Sequence, residues 1–489
     1  MTFVDSHFFA FLPVFILLWW LTRNRYELRV GVMLWSSLIF YGYRHWWFVP
    51  IILAYALVDW GAGLLIERST RKKLFLTLGI GFNLAALSFW KYSPLLMQTT
   101  SELFGWPSSM SAYALSDGWI IPMGISFYAF IGIAYMVDVY RGTITAERDL
   151  WRYALFASFF PHLVAGPILR AKEFLWHLGP DALPNRPLAA WEGTFLIARG
   201  FFKKLVLADG IAVAIDPFFS NIADASTAGV WSAPYVYLYA LQIYLDFSGY
   251  TDIGRGLGLW FGFRWPENFN WPYLATSAQD FWRRWHMTLS RFLRDYLYIP
   301  LGGNRHGLAR AILATMITML LGGMWHGASW SFMIWGGLHG AFLVINRLWA
   351  MTSLQARLAR LTGPSGAIWH VVCIALTFNA VCLAWCFFRL TDLSESLECV
   401  RRAFVFDADK MLVGGSGDLS LWMMLAAYGL ASAAAAIATR GAPLSDVGQM
   451  LDKEHFVRGA AWGGSLSLLV VAWALAPDAQ SVPFIYFQF

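Results

Sequence analysis

The sequence has few charged residues for its length. Asp, Glu, Lys and Arg together make up 13% of its 489 residues, whereas 58% are hydrophobic and 18% are aromatic. A soluble globular domain averages about 25% charged residues, so a surface of this composition does not suit water. The composition excludes an ordinary soluble protein and indicates an integral membrane protein, in which the 27 tryptophans would form aromatic belts at the bilayer interfaces.

Cysteine is also scarce. The chain has four cysteines, and Cys382 and Cys386 stand one helical turn apart in an apolar run. This spacing predicts packing, with neither a metal site nor a disulfide framework. The net charge is +6, but no basic tract with interleaved aromatics indicates nucleic-acid binding. The basic surplus instead fits cytoplasmic loops and membrane lipid.

Apolar runs recur along the chain, and several of them are shorter than the roughly 20 residues of a full bilayer span. They predict an all-α polytopic protein with roughly ten to twelve membrane-spanning or re-entrant helices, plus amphipathic interfacial helices. No linker or repeat marks a second domain, so we expect one transmembrane domain over residues 1–489. The runs lie near residues 8–21, 30–43, 47–66, 74–90, 119–139, 230–247, 309–321, 328–346, 368–388, 419–438 and 460–476.

Some apolar stretches are interrupted. The run from Phe156 to Leu169 contains Pro161 and Gly166, which predicts a broken or re-entrant segment. The run from Val230 ends at the polar sequence DFSGYTD.

The basic residues between the early runs predict an orientation. Arginine and lysine are concentrated after the first, third and fifth runs and are sparse after the second and fourth. By the positive-inside rule the N-terminus is outside and the three basic joints are cytoplasmic. The nearly uncharged stretch from Ser93 to Gly118 then faces the far side. On the same grounds, the basic block from Arg283 to Arg310 is cytoplasmic.

Two histidines stand out, and each follows a tryptophan. Ser277 and Asp280 form a capping box and Pro300 is a stop signal, so His286 is predicted to lie on the apolar side of one amphipathic helix. His326 lies between two long apolar runs, among several glycines.

A charge at membrane depth costs about 2.5–3.5 kcal/mol, so a histidine there is a functional candidate. His326 is therefore the candidate catalytic base, and His286 is the candidate supporting residue. For both, the alternative is a histidine that only packs between helices. His339 could serve either purpose, and His162 is interpreted as structural.

A substrate-binding set is also predicted. Arginine side chains bind phosphate with two parallel hydrogen bonds, and the phosphates of coenzyme A would suit them. The alternative for the arginines is anchoring of a cytoplasmic loop. Asp246 could orient the site through a polar network, or it could pair with a basic residue for structure. The predicted set is Arg283, Arg284, Trp285, Arg291, Trp325 and Asp246.

Several segments resemble one known family. From Pro266 the chain has PENFNWPYLATSAQDFWRRWHMTLSRFLRDYLYIPLGGNR, and from Gly323 it has GMWHGASWSFMIWGGLHG. With these it also has PMGISFYAFIGIAYMVDVYRG, FFPHLVAGPILR, GFFKKLVLAD, QIYLDFSGYTDIGRGLG and the closing PFIYFQF, in that order. The set resembles the membrane-bound O-acyltransferases, in the bacterial branch that acetylates exopolysaccharides such as alginate.

The resemblance implies a function. It implies helices around a central tunnel and transfer of an acetyl group from cytoplasmic acetyl-CoA toward an acceptor beyond the inner membrane. Acetyl-CoA would be a substrate, with no permanently bound cofactor, and separate periplasmic acetyltransferase or adaptor proteins would complete the reaction. Two alternatives stay open. One is a family member that acylates teichoic acid, cellulose or a protein; the other is a transporter or channel for a small anion or sugar.

Overall fold

The computed structural model describes residues 1–104, 120–163, 166–179, 189–224, 227 and 229–405. Within these ranges the chain forms helices and turns, and no β-strand occurs among them. The all-helical prediction is confirmed for this part of the chain. The spans predicted near residues 419–438 and 460–476, and the closing PFIYFQF motif, lie outside the described residues.

Most predicted apolar runs correspond to helices. Two π-helical segments, Phe202–Ala208 and Arg294–Tyr298, interrupt the regular helices. The α-helices are α1 (Ser6–Leu21), α2 (Tyr26–Gly42), α3 (Phe48–Arg68), α4 (Lys72–Phe104), α5 (Ile125–Tyr140), α6 (Leu150–Ser158), α7 (Phe160–Leu163), α8 (Ala171–Phe174), α9 (Ala190–Phe201), α10 (Asp209–Ser220), α11 (Ala233–Trp260), α12 (Ala278–Arg284), α13 (Met287–Leu293), α14 (Gly307–His326), α15 (Trp330–Trp349), α16 (Ser353–Leu358), α17 (Gly363–Arg389) and α18 (Leu393–Ala403).

Four helical stretches in the described ranges are long and apolar enough to cross a membrane. They are Phe48–Arg68, Lys72–Ser93, Gly307–His326 and Gly363–Arg389. The helices α1 and α5 are apolar but shorter. The total of ten to twelve spans therefore stays a prediction.

The chain divides into two compact units. The first comprises Met1–Ile197 and Tyr250–Pro266, and the second comprises Ala198–Gly249 and Glu267–Phe489. The single domain predicted over residues 1–489 stays a prediction.

The first unit has a core of aromatic rings. Phe40 and Phe160 lie 5.1 Å apart, and Phe15 meets Phe261 at 4.9 Å between ring centroids. Between the helices the buried Asp59 accepts a hydrogen bond of 2.6 Å from the side-chain amide of Asn83. This contact provides the hydrogen-bonding partner that a buried carboxyl group requires.

In the second unit, α14 and α15 cross closely through glycines. A Cβ atom on Gly323 would lie 2.3 Å from the carbonyl oxygen of Phe332, and one on Gly336 would lie 2.3 Å from that of Met319. Small residues allow such close backbone contact between apolar helices. The crossing fixes the end of α14, where His326 lies.

The helix α11 extends beyond the predicted end of its apolar run. It continues through the polar sequence DFSGYTD to Trp260, so the helix is longer than the apolar run from Val230 to Phe247. Its glycines pack against backbone in both units. A Cβ on Gly249 would lie 2.9 Å from the Gly200 carbonyl oxygen, and one on Gly256 would lie 2.5 Å from that of Gly193. Tertiary packing thus outweighs the weak helix propensity of glycine.

Candidate functional site

His326 is the last residue of α14. The helix ends there because Gly327 is extended, and a Cβ atom on that residue would lie 2.2 Å from the Phe332 ring. Ser329 then begins α15, with its hydroxyl oxygen accepting a hydrogen bond from the Ser331 amide. The sequence therefore places a buried imidazole at a short break between two apolar helices, as predicted.

Three aromatic rings surround His326. The centroid of its ring lies 4.8 Å from that of Trp325, 4.9 Å from that of Trp335 and 5.0 Å from that of Phe388, and each ring is steeply inclined to the imidazole. His326 is only 5% exposed. The rings exclude bulk water from the imidazole, a side chain that often serves as a general base in enzymes.

His286 does not lie within a continuous helix, so that prediction was wrong. The structure confirms Ser277 as the start of a helix, but this helix ends at Arg284 and a second one begins at Met287. His286 lies between them in the left-handed conformation, with φ of 40°. The capping and stop signals at the two ends are real, but they do not reveal the interruption between them.

The His286 ring is completely buried. It meets Phe247 at right angles, with 4.7 Å between centroids. Burial lowers the pKa of His286 to about 3, so the imidazole is neutral at physiological pH. No hydrogen bond joins either of its ring nitrogens to another residue in the described part of the chain.

Trp325 contacts both histidines. Its ring centroid lies 6.4 Å from that of His286 and 4.8 Å from that of His326. The structure therefore brings together three of the predicted site residues, although their shared position was not evident from the sequence.

Trp285 belongs to the aromatic wall behind this site. Its ring stacks on Phe281 at 5.6 Å and lies 5.1 Å from Trp385. Trp385 in turn contacts Trp335 and Phe388, two of the residues around His326. Trp285 is only 2% exposed. This position favours a packing role over stacking on a substrate.

Asp246 lies in a buried ion cluster. The ammonium group of Lys204 lies 3.0 Å from an oxygen of Asp246 and 2.7 Å from an oxygen of Asp209. All three side chains are at most 4% exposed. A buried carboxylate with such a partner can be structural, which was one of the two interpretations of Asp246.

A pocket of about 580 Å³ opens in the same unit. Polar side chains, two arginines and several apolar side chains line it. The lining residues are Gln279, Trp282, Ser290, Leu293, Arg294, Tyr298, Asn304, Thr315, Thr318, Met319, Leu343, Asn346, Arg347, Ala350 and Met351.

The arginines of this pocket differ from the three in the predicted set. Arg283 is exposed, and the Nε atom of Arg284 lies 2.9 Å from Asp280; neither they nor Arg291 line the pocket. Arg294 and Arg347 do line it. The sequence indicated the basic block from Arg283 to Arg310 as the donor-binding region. The fold shows that Arg294 and Arg347 share a cavity.

Arg347 is the more available of the two pocket arginines. It donates a hydrogen bond of 3.0 Å to the Tyr298 hydroxyl, and in the described part of the chain no carboxylate forms an ion pair with it. Arg294 pairs with the neighbouring Asp295 at 2.6 Å, and its side chain is 59% exposed. A phosphate group in the pocket would therefore interact first with Arg347.

The pocket wall is one aromatic ring away from His326. Trp282 lines the pocket and lies 5.9 Å from Trp335, which lies 4.9 Å from His326. His339 fills the neighbouring space, at 5.2 Å from Trp282 and 4.8 Å from Trp335. The pocket can hold a charged ligand, and its wall lies one ring away from a buried imidazole.

Known proteins are similar to this chain over most of its length. The membrane-bound O-acyltransferase family matches residues 147–385. The chain is 34% identical to a probable alginate O-acetylase of Azotobacter vinelandii and 35% identical to one of Pseudomonas putida, in each case over 98% of both chains. It is 34% identical to a peptidoglycan O-acetyltransferase of Helicobacter pylori, over 80% of this chain and 77% of that one.

The chain belongs to the membrane-bound O-acyltransferase family. It is a membrane protein and an acyltransferase.

Proposed function

We propose that this acyltransferase takes an acetyl group from cytoplasmic acetyl-CoA and passes it across the bacterial inner membrane for O-acetylation of an exopolysaccharide such as alginate. The observation that carries the proposal is the position of His326, a buried histidine that one ring, Trp335, connects to the wall of a pocket that contains arginines. The two relatives named as probable alginate O-acetylases support acetyl as the group and alginate as the polymer.

The pocket suits the donor by its chemistry. Acetyl-CoA is long and carries several phosphates, which Arg347 and Arg294 can bind through charge-assisted hydrogen bonds. The apolar wall with Trp282, Leu293 and Met319 suits the uncharged arm that ends in the thioester. The pocket is therefore the proposed donor site.

His326 acts as a general base in the proposed reaction. Its imidazole removes the proton from the acceptor hydroxyl while that oxygen attacks the acetyl carbonyl carbon. A carbon–oxygen bond forms, the carbon–sulfur bond breaks, and the departing thiolate recovers the proton from the imidazolium. The neutral His286, which shares Trp325 with His326, supports this step by binding a polar group of the reactants.

Further proteins are proposed to complete the pathway. The acetyl group is handed to periplasmic acetyltransferase or adaptor proteins that modify the polymer. The peptidoglycan-modifying relative supports a different glycan as the second candidate acceptor.

The direct test uses the full chain in detergent with acetyl-CoA and each candidate glycan. We expect release of free CoA thiol, together with a mass increase on one glycan when the partner proteins are present. The His326→Gln variant is the matched control. Movement of a small anion across proteoliposomes without release of CoA would contradict the proposal and favour a transporter.

A further inference from the structure

The backbone on both sides of His286 is held by one neighbouring segment. The amide of Met287 donates to the carbonyl oxygen of Asn268 at 2.9 Å, and the amide of Asn270 donates to the carbonyl oxygen of Arg284 at 2.9 Å. The segment from Asn268 to Asn270 therefore contacts the chain both before and after His286.

A side-chain contact adds to this backbone pairing. The side-chain oxygen of Asn268 accepts a hydrogen bond of 2.6 Å from the Thr288 hydroxyl and one of 3.4 Å from the Thr288 amide. Asn268 is 1% exposed and Thr288 is 2% exposed. Hydrogen bonds at such buried positions are costly to break, because the remaining partner has no water to replace it.

The backbone of His286, directly before these hydrogen-bonded residues, is strained. Its φ of 40° lies in the left-handed region, which residues other than glycine adopt only when their surroundings impose it. The His286 ring itself makes apolar contacts, such as the one with Phe247. The hydrogen bonds that Met287 and Thr288 donate to Asn268 therefore hold the backbone directly after His286.

We infer that Asn268 and Thr288 are positioning residues, which hold His286 in its left-handed conformation so that its ring stays buried beside Trp325. The effect of this pair on catalysis rests on the proposed function, in which His286 supports acetyl transfer. Its effect on the conformation of His286 does not depend on that function.

The key variant is Thr288→Val, which keeps the shape of the side chain and removes the hydroxyl donor. We expect the rate of acetyl-CoA-dependent CoA release to fall about tenfold to a hundredfold, because small displacements of catalytic groups have effects of this size. The KM for acetyl-CoA should change little. Thr288→Ser restores the hydroxyl and should recover most of the rate.

A double variant separates positioning from general damage. If Thr288 acts through His286, then His286→Ala with Thr288→Val should be no slower than His286→Ala alone. The matched control is Ser158→Ala, which removes a buried hydroxyl that donates a hydrogen bond of 2.7 Å to the carbonyl oxygen of Ala154 in its own helix. This control should keep the wild-type rate.

A second measurement needs no enzymatic activity. Diethyl pyrocarbonate modifies accessible imidazoles, and peptide mass mapping reports the modification at His286 alone. We expect His286 to be protected in the wild-type protein and in Thr288→Ser, and to react severalfold faster in Thr288→Val.

The two measurements distinguish a failure of this inference from a failure of the proposed function. Equal protection of His286 in Thr288→Val, or an equal rate loss from this change with and without His286, would overturn the inference. An absence of acetyl transfer in the wild-type protein would instead overturn the proposed function, while the reactivity of His286 would still test the inference.

Discussion

The imidazole of His326 meets the indole of Trp335 nearly at right angles, with 4.9 Å between ring centroids and 83° between ring planes. The same indole contacts Trp282, which lines the pocket. This relationship connects the two halves of the proposed reaction, because it places the candidate base close to the candidate donor site without exposing it to bulk solvent.

The first prediction concerns binding of the donor. Arg347→Ala should weaken the affinity for acetyl-CoA about tenfold to a hundredfold, because a charge-assisted hydrogen bond contributes about 1.5–3 kcal/mol. Arg294→Ala should have a smaller effect, since Arg294 also pairs with Asp295. Titration of the purified variants with acetyl-CoA measures both.

Three further substitutions complete this experiment. Arg347→Lys keeps the charge but loses the planar fork, so we expect an intermediate affinity. Arg357→Ala removes an exposed arginine outside the pocket and is the control. The competing prediction from the sequence is tested by Arg283→Ala. A large loss of affinity there, with none at Arg347, would place the donor elsewhere.

The second prediction concerns the crossing of α14 and α15. Gly323→Ala should lower the thermal stability, because the added methyl would lie 2.3 Å from backbone and overpacking typically costs about 1–3 kcal/mol. Gly337→Ala is the matched control in the same helix pair, where the new Cβ would meet only the Leu320 side chain at an ordinary 3.5 Å. Thermal unfolding in detergent should separate the two. Equal melting temperatures would show that the crossing tolerates the methyl group.

The third prediction concerns topology. The basic joint around residue 306 is predicted to be cytoplasmic, and the sparsely charged joint around residue 46 is predicted to face the far side. In a cysteine-free background, Trp46→Cys should react with an impermeant maleimide on intact spheroplasts, whereas His306→Cys should react only after permeabilisation. Both native side chains are exposed, so access within the protein is not limiting. Labelling of both from one side would refute this orientation.

The long helices could be predicted from the sequence, because burying charge is costly and their segments contain few charged residues. The apolar runs predicted near residues 47–66 and 368–388 correspond to α3 and α17. A helix suits such runs because it pairs its backbone polar groups within itself where no water is present. The position of His326 at a break also followed from its flanking glycines. The length of α11 does not follow from its apolar run, because the glycines beyond Phe247 pack against backbone that is distant in the sequence.

The rest of the site depends on tertiary contacts that the sequence does not display. The interruption at His286 is imposed by Asn268, which lies outside the helical pattern that suggested a continuous helix. Arg347 stands at the end of an apolar helix, where a cation has an ordinary explanation as an anchor at the membrane surface. Its position in the same pocket as Arg294 becomes apparent only in the fold.

The measurement that tests the central claim most directly is the rate of CoA release by His326→Gln. Glutamine keeps much of the bulk and hydrogen bonding of histidine but does not act as a base at neutral pH. Losing a general base costs about a hundredfold to ten-thousandfold in rate, so we expect a loss of this size with the affinity for acetyl-CoA unchanged. His286→Ala should retain more activity than His326→Gln. Near-normal turnover by His326→Gln would contradict the account and leave His326 as a histidine that only packs between helices.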